Sequence, residues 1–185
     1  IMRILDLGVL GIIAPMINTK KQCEEFVSYC NYPPIGQRSF GPMRAQLIYG
    51  SDYYENANSA IVSFAMIETK EAVDNIEEIL SVPNLTGIYI GPGDMSSSYG
   101  LKPQFDVTVD PIYSNIKMIA KIANEKGKIA GIHNGSTKYA KQMIDLGYKF
   151  VTVSSDFRSM STHAQSIIND MKNNTELKKT TNPSY

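Results

Sequence analysis

Five short runs along the chain are apolar, rich in β-branched residues and free of alternation: 11–16, 60–67, 87–90, 129–132 and 150–153. Such runs suit strands buried on both faces, as in parallel sheets covered by helices. Helical patterns separate them. Thr19 with Gln22 three residues on makes a capping box, after which Cys23, Phe26, Val27 and Cys30 share one face. Ala72, Val73, Ile76, Ile79 and Leu80 form a second stripe after Thr69. Asp110-Pro111 supplies an N-cap and a first-turn proline ahead of Ile112, Ile116, Ile119 and Ala123, and Gly127 stops that helix. Ser136 caps another, which closes at Asp145-Leu146-Gly147 and echoes Asp6-Leu7-Gly8. The repeated unit is helix, glycine, strand. It predicts right-handed crossovers and one parallel sheet, either open and doubly wound or closed as a (β/α) barrel. Five strands cannot close an eight-stranded barrel, so the barrel reading requires roughly three more strands upstream. The opening Ile1-Met2-Arg3-Ile4-Leu5 likewise reads as the end of an amphipathic helix, with an N-terminal portion expected to be absent.

Two stretches fall outside the pattern. Residues 31–44 make a long loop rich in proline and glycine, to be ordered by packing or by function. Residues 173–185 are polar and lack a stripe, so a single domain over 1–172 with a frayed tail is expected. With 18 Lys and Arg against 18 Asp and Glu, the basic excess that nucleic acid or a membrane surface attracts is missing. Small-molecule chemistry is the better expectation. No run approaches the ~20 apolar residues of a membrane span. The two cysteines, both on the first helical stripe, read as core packing and fit a reducing cytoplasm.

In parallel α/β folds the loops leaving the strands' C-terminal ends converge, and candidate chemistry is sought there. The second run exits into Glu68-Thr69, the third into Gly91-Pro92-Gly93-Asp94, and later exits offer His133-Asn134 and Ser154-Ser155-Asp156. Glu68 and Asp94, on sequential strands, would stand at one level and can hold a hard divalent cation with positions left for a substrate's oxygens. The plainer reading makes Glu68 a helix cap and Asp94 a turn residue. The glycines around Asp94 either expose backbone N–H groups to an anion or simply form a βα turn. His133 is expected to line the pocket, and His163 to be structural or solvated. Arg38 and Arg44 either grip a substrate carboxylate or tie down their own loop. A two-carboxylate glycosidase is disfavoured, because a sugar cleft wants aromatic platforms and the chain has no tryptophan.

Four segments in register resemble the HpcH/HpaI aldolases, metal-dependent (class II) pyruvate aldolases typified by 4-hydroxy-2-oxoheptanedioate aldolase. They are Asp6-Leu-Gly8 with Gly11-Ile-Ile-Ala-Pro-Met-Ile17, then Tyr32-Pro-Pro-Ile-Gly-Gln-Arg-Ser-Phe-Gly-Pro42, then Ile67-Glu-Thr69, then Ile90-Gly-Pro-Gly-Asp-Met-Ser96. The resemblance implies a (β/α)₈ TIM barrel of the phosphoenolpyruvate/pyruvate type, this chain covering about strands four to eight. It implies Glu68 and Asp94 as protein ligands of Mg²⁺, Mn²⁺ or Co²⁺, and the backbone amides of Gly93 and Asp94 as holders of the pyruvate carboxylate. Asp6 would orient a catalytic histidine which, with an enolate-steadying arginine, comes from earlier strands. Relatives often carry a glutamine where Met66 stands, and often an alanine where Gly93 stands.

The expected reaction is reversible cleavage of a 4-hydroxy-2-oxo acid to pyruvate and an aldehyde through a metal-stabilised enolate, in a cytoplasmic homo-oligomer, a hexamer by resemblance. Substrate-binding residues would be Gly93, Asp94, His133 and Arg38. The alternatives are a CoA-thioester lyase of the citrate lyase β or malyl-CoA lyase type, which the Tyr-Pro-Pro loop opposes, and a catalytically incomplete fragment or paralogue. The 185 residues by themselves are expected to be inactive.

Overall fold

Each predicted run forms a strand: β1 (Gly11–Ala14), β2 (Val62–Ile67), β3 (Gly87–Ile90), β4 (Ile129–Asn134) and β5 (Phe150–Val153). In the computed structural model, which describes the backbone of residues 1–180 and side chains to 172, they make one sheet in the order β1-β2-β3-β4-β5. The β1–β2, β2–β3 and β3–β4 pairings are parallel, with Gly11 level with Val62, Met66 with Tyr89, and Ile90 with Ile132. Parallel neighbours need a crossover between them, and helices fill every connection. Between β1 and β2 lie α2 (Lys20–Cys30), α3 (Met43–Tyr49) and α4 (Tyr53–Ala60); α5 (Lys70–Asp74) and α6 (Ile76–Leu80) follow β2. After β3 come α7 (Pro92–Ser98) and α8 (Ile112–Glu125), and α9 (Thr137–Asp145) links β4 to β5. A short α1 (Met2–Asp6) precedes β1. From Val153 onward a second unit consists of the end of β5 and the helix α10 (Asp156–Thr180). Helical backbone thus extends into the stretch read as a polar tail, and 181–185 lie outside the described residues.

The helices begin and end largely for the reasons read in the sequence. Thr19 and Gln22 close the capping box, and Ser136 accepts the Tyr139 N–H. Both Asp-Leu-Gly turns end a helix, with Gly8 at φ 98° and Gly147 at φ 96°, a region that favours glycine. Asp110 works one residue further out than expected: Pro111 is the cap residue, and Asp110 accepts the Ser114 N–H and hydroxyl. The stripe after Thr69 is broken in two because the Asn75 side chain turns away to donate to the Asn18 carbonyl. On the sheet's outer face Ala65, Ile67, Ile88, Ile90, Ala130 and Ile132 are fully buried under the predicted stripes of α2, α6 and α8 and under α9, in one core.

The other face is concave. Phe64 on β2 and Phe150 on β5 are separated by two strands, which in a flat sheet would hold them roughly 14 Å apart, yet their ring centroids stand 5.1 Å apart. Glycines on the intervening strands make this possible. A Cβ on Gly87 would lie 2.9 Å from the Phe64 ring and 2.1 Å from the Ile129 carbonyl oxygen; one on Gly131 would lie 2.8 Å from the Tyr89 ring. The five strands therefore curl into a half-barrel whose C-terminal ends converge.

The 31–44 loop is ordered by packing. Gln37 and Arg38 N–H groups donate to the Ser28 and Asn31 carbonyls, and Asn58 clamps Tyr32 through both its N–H and its carbonyl. Arg38 is buried: its Nη2 donates to Asp6 Oδ1 at 2.8 Å and to the Tyr53 hydroxyl at 3.1 Å, and its guanidinium lies 4.4 Å from the Tyr32 ring centre. This corrects the expectation that Arg38 contacts substrate. Its Nη2 ties the loop to α1, while Nε and Nη1 are buried without a hydrogen-bond partner. Arg44 does similar work by donating to the Leu7 carbonyl.

Two stability measurements follow. Asp6→Ala leaves the Arg38 charge buried without its carboxylate, and urea denaturation should show a loss of roughly 3 kcal/mol, at least half of it recovered in the double variant Asp6→Ala/Arg38→Met. Gly87→Ala forces a methyl into a backbone carbonyl and should cost roughly 2 kcal/mol or more. Gly41→Ala, where the nearest atom to a new Cβ is 3.8 Å away, should stay within ~0.5 kcal/mol of the parent.

Candidate active site

Glu68 is the first residue after β2 and is only 3% exposed. Its Oε1 accepts the Met16 backbone N–H at 2.7 Å. Met16, in the loop leaving β1, sits at φ 57°, a left-handed conformation uncommon for a side chain of its kind. That turn aims its N–H at the carboxylate. The other oxygen, Oε2, occupies space beside Gly91, where a Cβ would come within 2.6 Å of both Oε2 and Met66 Cε. Glycine at 91 thus leaves the carboxylate its room.

Asp94 stands in the first turn of α7, where backbone N–H groups lack intrahelical partners. Its own side is open to solvent. Burial pushes the Glu68 carboxyl up from its ordinary value, the Met16 N–H opposes this, and the nearby Asp94 charge adds to it. The two carboxylates therefore feel each other. No Lys, Arg or His forms a salt bridge with either of them among the described residues. A buried carboxylate beside a like charge, with no cationic side chain to offset it, fits a divalent cation better than it fits a capping role. Among the described residues no cluster of three or more His, Cys, Asp or Glu side chains forms a closed ligand set. Two carboxylates suit a hard ion that keeps positions for water or substrate.

The wall toward β4 is aromatic and polar. His133 Nδ1 is 3.1 Å from Thr152 Oγ1, and Thr152 Oγ1 is also hydrogen-bonded to the Tyr89 hydroxyl. Phe105 meets the His133 ring edge to face at 5.0 Å between centroids, and its Cε1 lies 3.9 Å from where a Gly93 Cβ would stand. Phe105, Tyr89, Thr152 and Met16 carried no signal in the sequence. Phe105 lies in a connection without a stripe, and the others look like ordinary strand or loop residues.

The structure thus brings together Glu68, Gly93 and Asp94 on the C-terminal side of the sheet, with His133 on an adjoining strand end. It does not bring Asp6 or Arg38 there. Asp6 ends α1, ahead of β1, and Gly11 pairs with Val62 at the start of β2. The six residues of β2 put roughly 20 Å between that end and Glu68. Asp6 and Arg38 pair with each other at the opposite end.

Comparison with known proteins identifies the family. A family model described as HpcH/HpaI aldolase/citrate lyase matches residues 1–163. A hydroxypyruvate/pyruvate aldolase from Rhizorhabdus wittichii is 41% identical over 172 residues, covering 93% of this chain and 68% of that protein. A 4-hydroxy-2-oxo-heptane-1,7-dioate aldolase from Escherichia coli is 31% identical, covering 90% of this chain and 64% of its own length. The chain spans about two thirds of the length of these relatives. Among solved structures, the citrate synthase SbnG superposes with a TM-score of 0.83 at 27% identity, over 95% of this chain and 68% of that one. A family protein from Burkholderia cenocepacia also gives 0.83, at 24% identity over 92% and 68%; at that identity it speaks for the fold alone. The chain belongs to the HpcH/HpaI aldolase/citrate lyase family.

Proposed function

We propose that the protein carrying this chain is a divalent-metal-dependent aldolase that cleaves 4-hydroxy-2-oxo acids reversibly to pyruvate and an aldehyde. The observation that carries the reading is the Glu68–Asp94 pair, one acid buried and neither salt-bridged to a cationic side chain among the described residues. A divalent ion held there, Mg²⁺, Mn²⁺ or Co²⁺, would supply a Lewis acid for the keto oxygen on which charge collects as the C3–C4 bond breaks. Everything else falls to the chain. Met16 fixes Glu68 through Oε1, so the carboxylate has one orientation. The first-turn N–H groups at Gly93 and Asp94 are offered to the substrate carboxylate. His133 and Phe105 bound the space on the β4 side.

The same reading takes the five strands as strands four to eight of a closed (β/α)₈ barrel, supported by their curl and by the family. It takes the assembly as a homo-oligomer, a hexamer on the family pattern. An exposed apolar surface with Leu7, Met43 and Leu47, the last 87% exposed, supports association. A cytoplasmic location is supported by two free, buried cysteines and by the lack, among described residues, of a helix long and apolar enough to cross a membrane.

The decisive assay measures pyruvate release from 4-hydroxy-2-oxo acids with Mn²⁺ and then with EDTA. Activity should vanish on chelation and return with metal. Glu68→Gln and Asp94→Asn should each lower kcat/KM on the order of 100-fold or more while leaving the far-ultraviolet circular dichroism unchanged. Activity indifferent to EDTA would remove the metal from the reading, and turnover of citramalyl-CoA in preference to hydroxy-oxo acids would move the protein to the thioester lyases.

A further inference from the structure

We infer that Met66 is a specificity-determining residue that selects 2-oxo acids with an apolar third carbon, such as pyruvate and 2-oxobutanoate, over those carrying a hydroxyl there; this rests on the aldolase reading above. Side chains alternate along a strand, so Phe64, Met66 and Glu68 lie on one face of β2. The contact of Phe64 with Phe150 marks that face as the concave one. Met66 is level with Tyr89, whose ring meets Phe150 on the same face. One point then fixes the relation of Met66 to the acid pair. A Cβ on Gly91 would stand 2.6 Å from Met66 Cε and 2.6 Å from Glu68 Oε2. The methyl and the carboxylate oxygen thus flank the same spot, beside a glycine that puts nothing between them. Met66 is half-buried, so its methyl forms a floor to the space in front of Glu68.

That floor is apolar. Along β2 the face continues from Met66 into Phe64 and its partner Phe150. The polar groups close by already have work: the Tyr89 hydroxyl is hydrogen-bonded to Thr152, and Glu68 Oε1 accepts the Met16 N–H. Glu68 Oε2 is the oxygen offered to the ion. A 2-oxo acid bound as proposed gives its carboxylate to the amides of Gly93 and Asp94 and its keto oxygen to the ion. Its third carbon is the part to which the chain assigns no polar partner, and the apolar atom set beside the acid pair is the Met66 methyl. A methyl or ethyl group there gains dispersion contact. A hydroxyl there leaves water for a thioether, a weak acceptor and no donor. Apolar sites reject an added hydroxyl only modestly, so the discrimination is small and measurable rather than absolute. Met66 moves no proton, and its part is selection rather than catalysis.

The test compares 2-oxobutanoate with hydroxypyruvate as donors to one aldehyde, in the full-length protein with Mn²⁺. The two acids differ by a methyl against a hydroxyl on the third carbon. Their intrinsic reactivities cancel when the ratio of kcat/KM values is compared between variants. Met66→Gln, similar in length but ending in an amide, should shift the ratio toward hydroxypyruvate roughly tenfold. Met66→Leu should hold the ratio near the parent's. Should the glutamine variant fail to fold, Met66→Thr carries the same comparison. A second readout needs no turnover. In protein labelled with [ε-¹³C]methionine, the Met66 methyl signal, identified by its loss in Met66→Leu, should broaden with paramagnetic Mn²⁺ and stay sharp with Mg²⁺. Adding 2-oxobutanoate to the Mg²⁺ form should shift it. Equal effects on both donors in the polar variants overturn this inference and leave the aldolase reading standing. So does a Met66 methyl that neither Mn²⁺ nor 2-oxobutanoate disturbs in an enzyme that EDTA inactivates. If the unaltered protein forms no product from any of these 2-oxo acids and releases no pyruvate from hydroxy-oxo acids, both readings fall.

Discussion

The contact between Phe64 and Phe150 can exist only because the two strands between them carry glycine at 87 and 131. A parallel sheet with side chains at every inward position would keep β2 and β5 apart. Removing two Cβ atoms lets large rings on the flanking strands meet over the gap. The pairing of β2, β3 and β4 makes their exits neighbours, and the curl turns the side chains at those exits toward one concave space. Glu68, Asp94 and His133 come from positions as far as 65 residues apart in sequence, and no local rule would assemble them. The site is a consequence of where the sheet lacks side chains.

Within that frame the site is held under electrostatic tension. A carboxylate taken out of water and set beside another prefers to be protonated or to acquire a counter-charge. The fold supplies one neutral donor, the Met16 N–H, from a backbone conformation that a methionine seldom adopts. One hydrogen bond orients Glu68 without neutralising it. Had a lysine or arginine been placed within reach, the pair would be a stable structural salt bridge and would have no use for a cation. Among the described residues no basic side chain forms a salt bridge with either carboxylate.

The elements legible in the sequence are those whose burial follows a period. The stripes of α2 and α8 and the apolar runs of β2, β3 and β4 were readable because each buries one face or both against the same core. Helices α3 and α4 were not, since α3 buries only Ala45 and α4 only Tyr53 and Ala57, in a small separate cluster. Too few positions are fixed there to show a repeat. At the site, Glu68 and Asp94 were legible because strand exits are where such side chains gather. Asp6 and Arg38 were read as contributors to chemistry by motif, and what the motif does not show is which end of the strands each residue reaches. Tyr89 and Thr152 were unreadable for a further reason: alone each is an ordinary strand residue, and only the pairing of β3, β4 and β5 turns them into a support for His133.

The two ends of the half-barrel treat buried charge in opposite ways, and the contrast follows from what each end must do. At the N-terminal end Arg38 is fully enclosed but paired with Asp6, and the hydrogen bonds that its Nη2 donates to Asp6 and to the Tyr53 hydroxyl hold its charged form against the cost of burial. A matched charge resists being moved, which suits a long loop with little regular hydrogen bonding of its own. At the C-terminal end Glu68 is enclosed with no salt-bridge partner among the described residues, and burial together with the nearby Asp94 charge raises its carboxyl above the ordinary value. In parallel α/β proteins stability determinants gather below the sheet and chemistry above it. Here two acidic residues of similar chemistry are held differently, Asp6 by the Arg38 guanidinium and Glu68 by the neutral Met16 N–H.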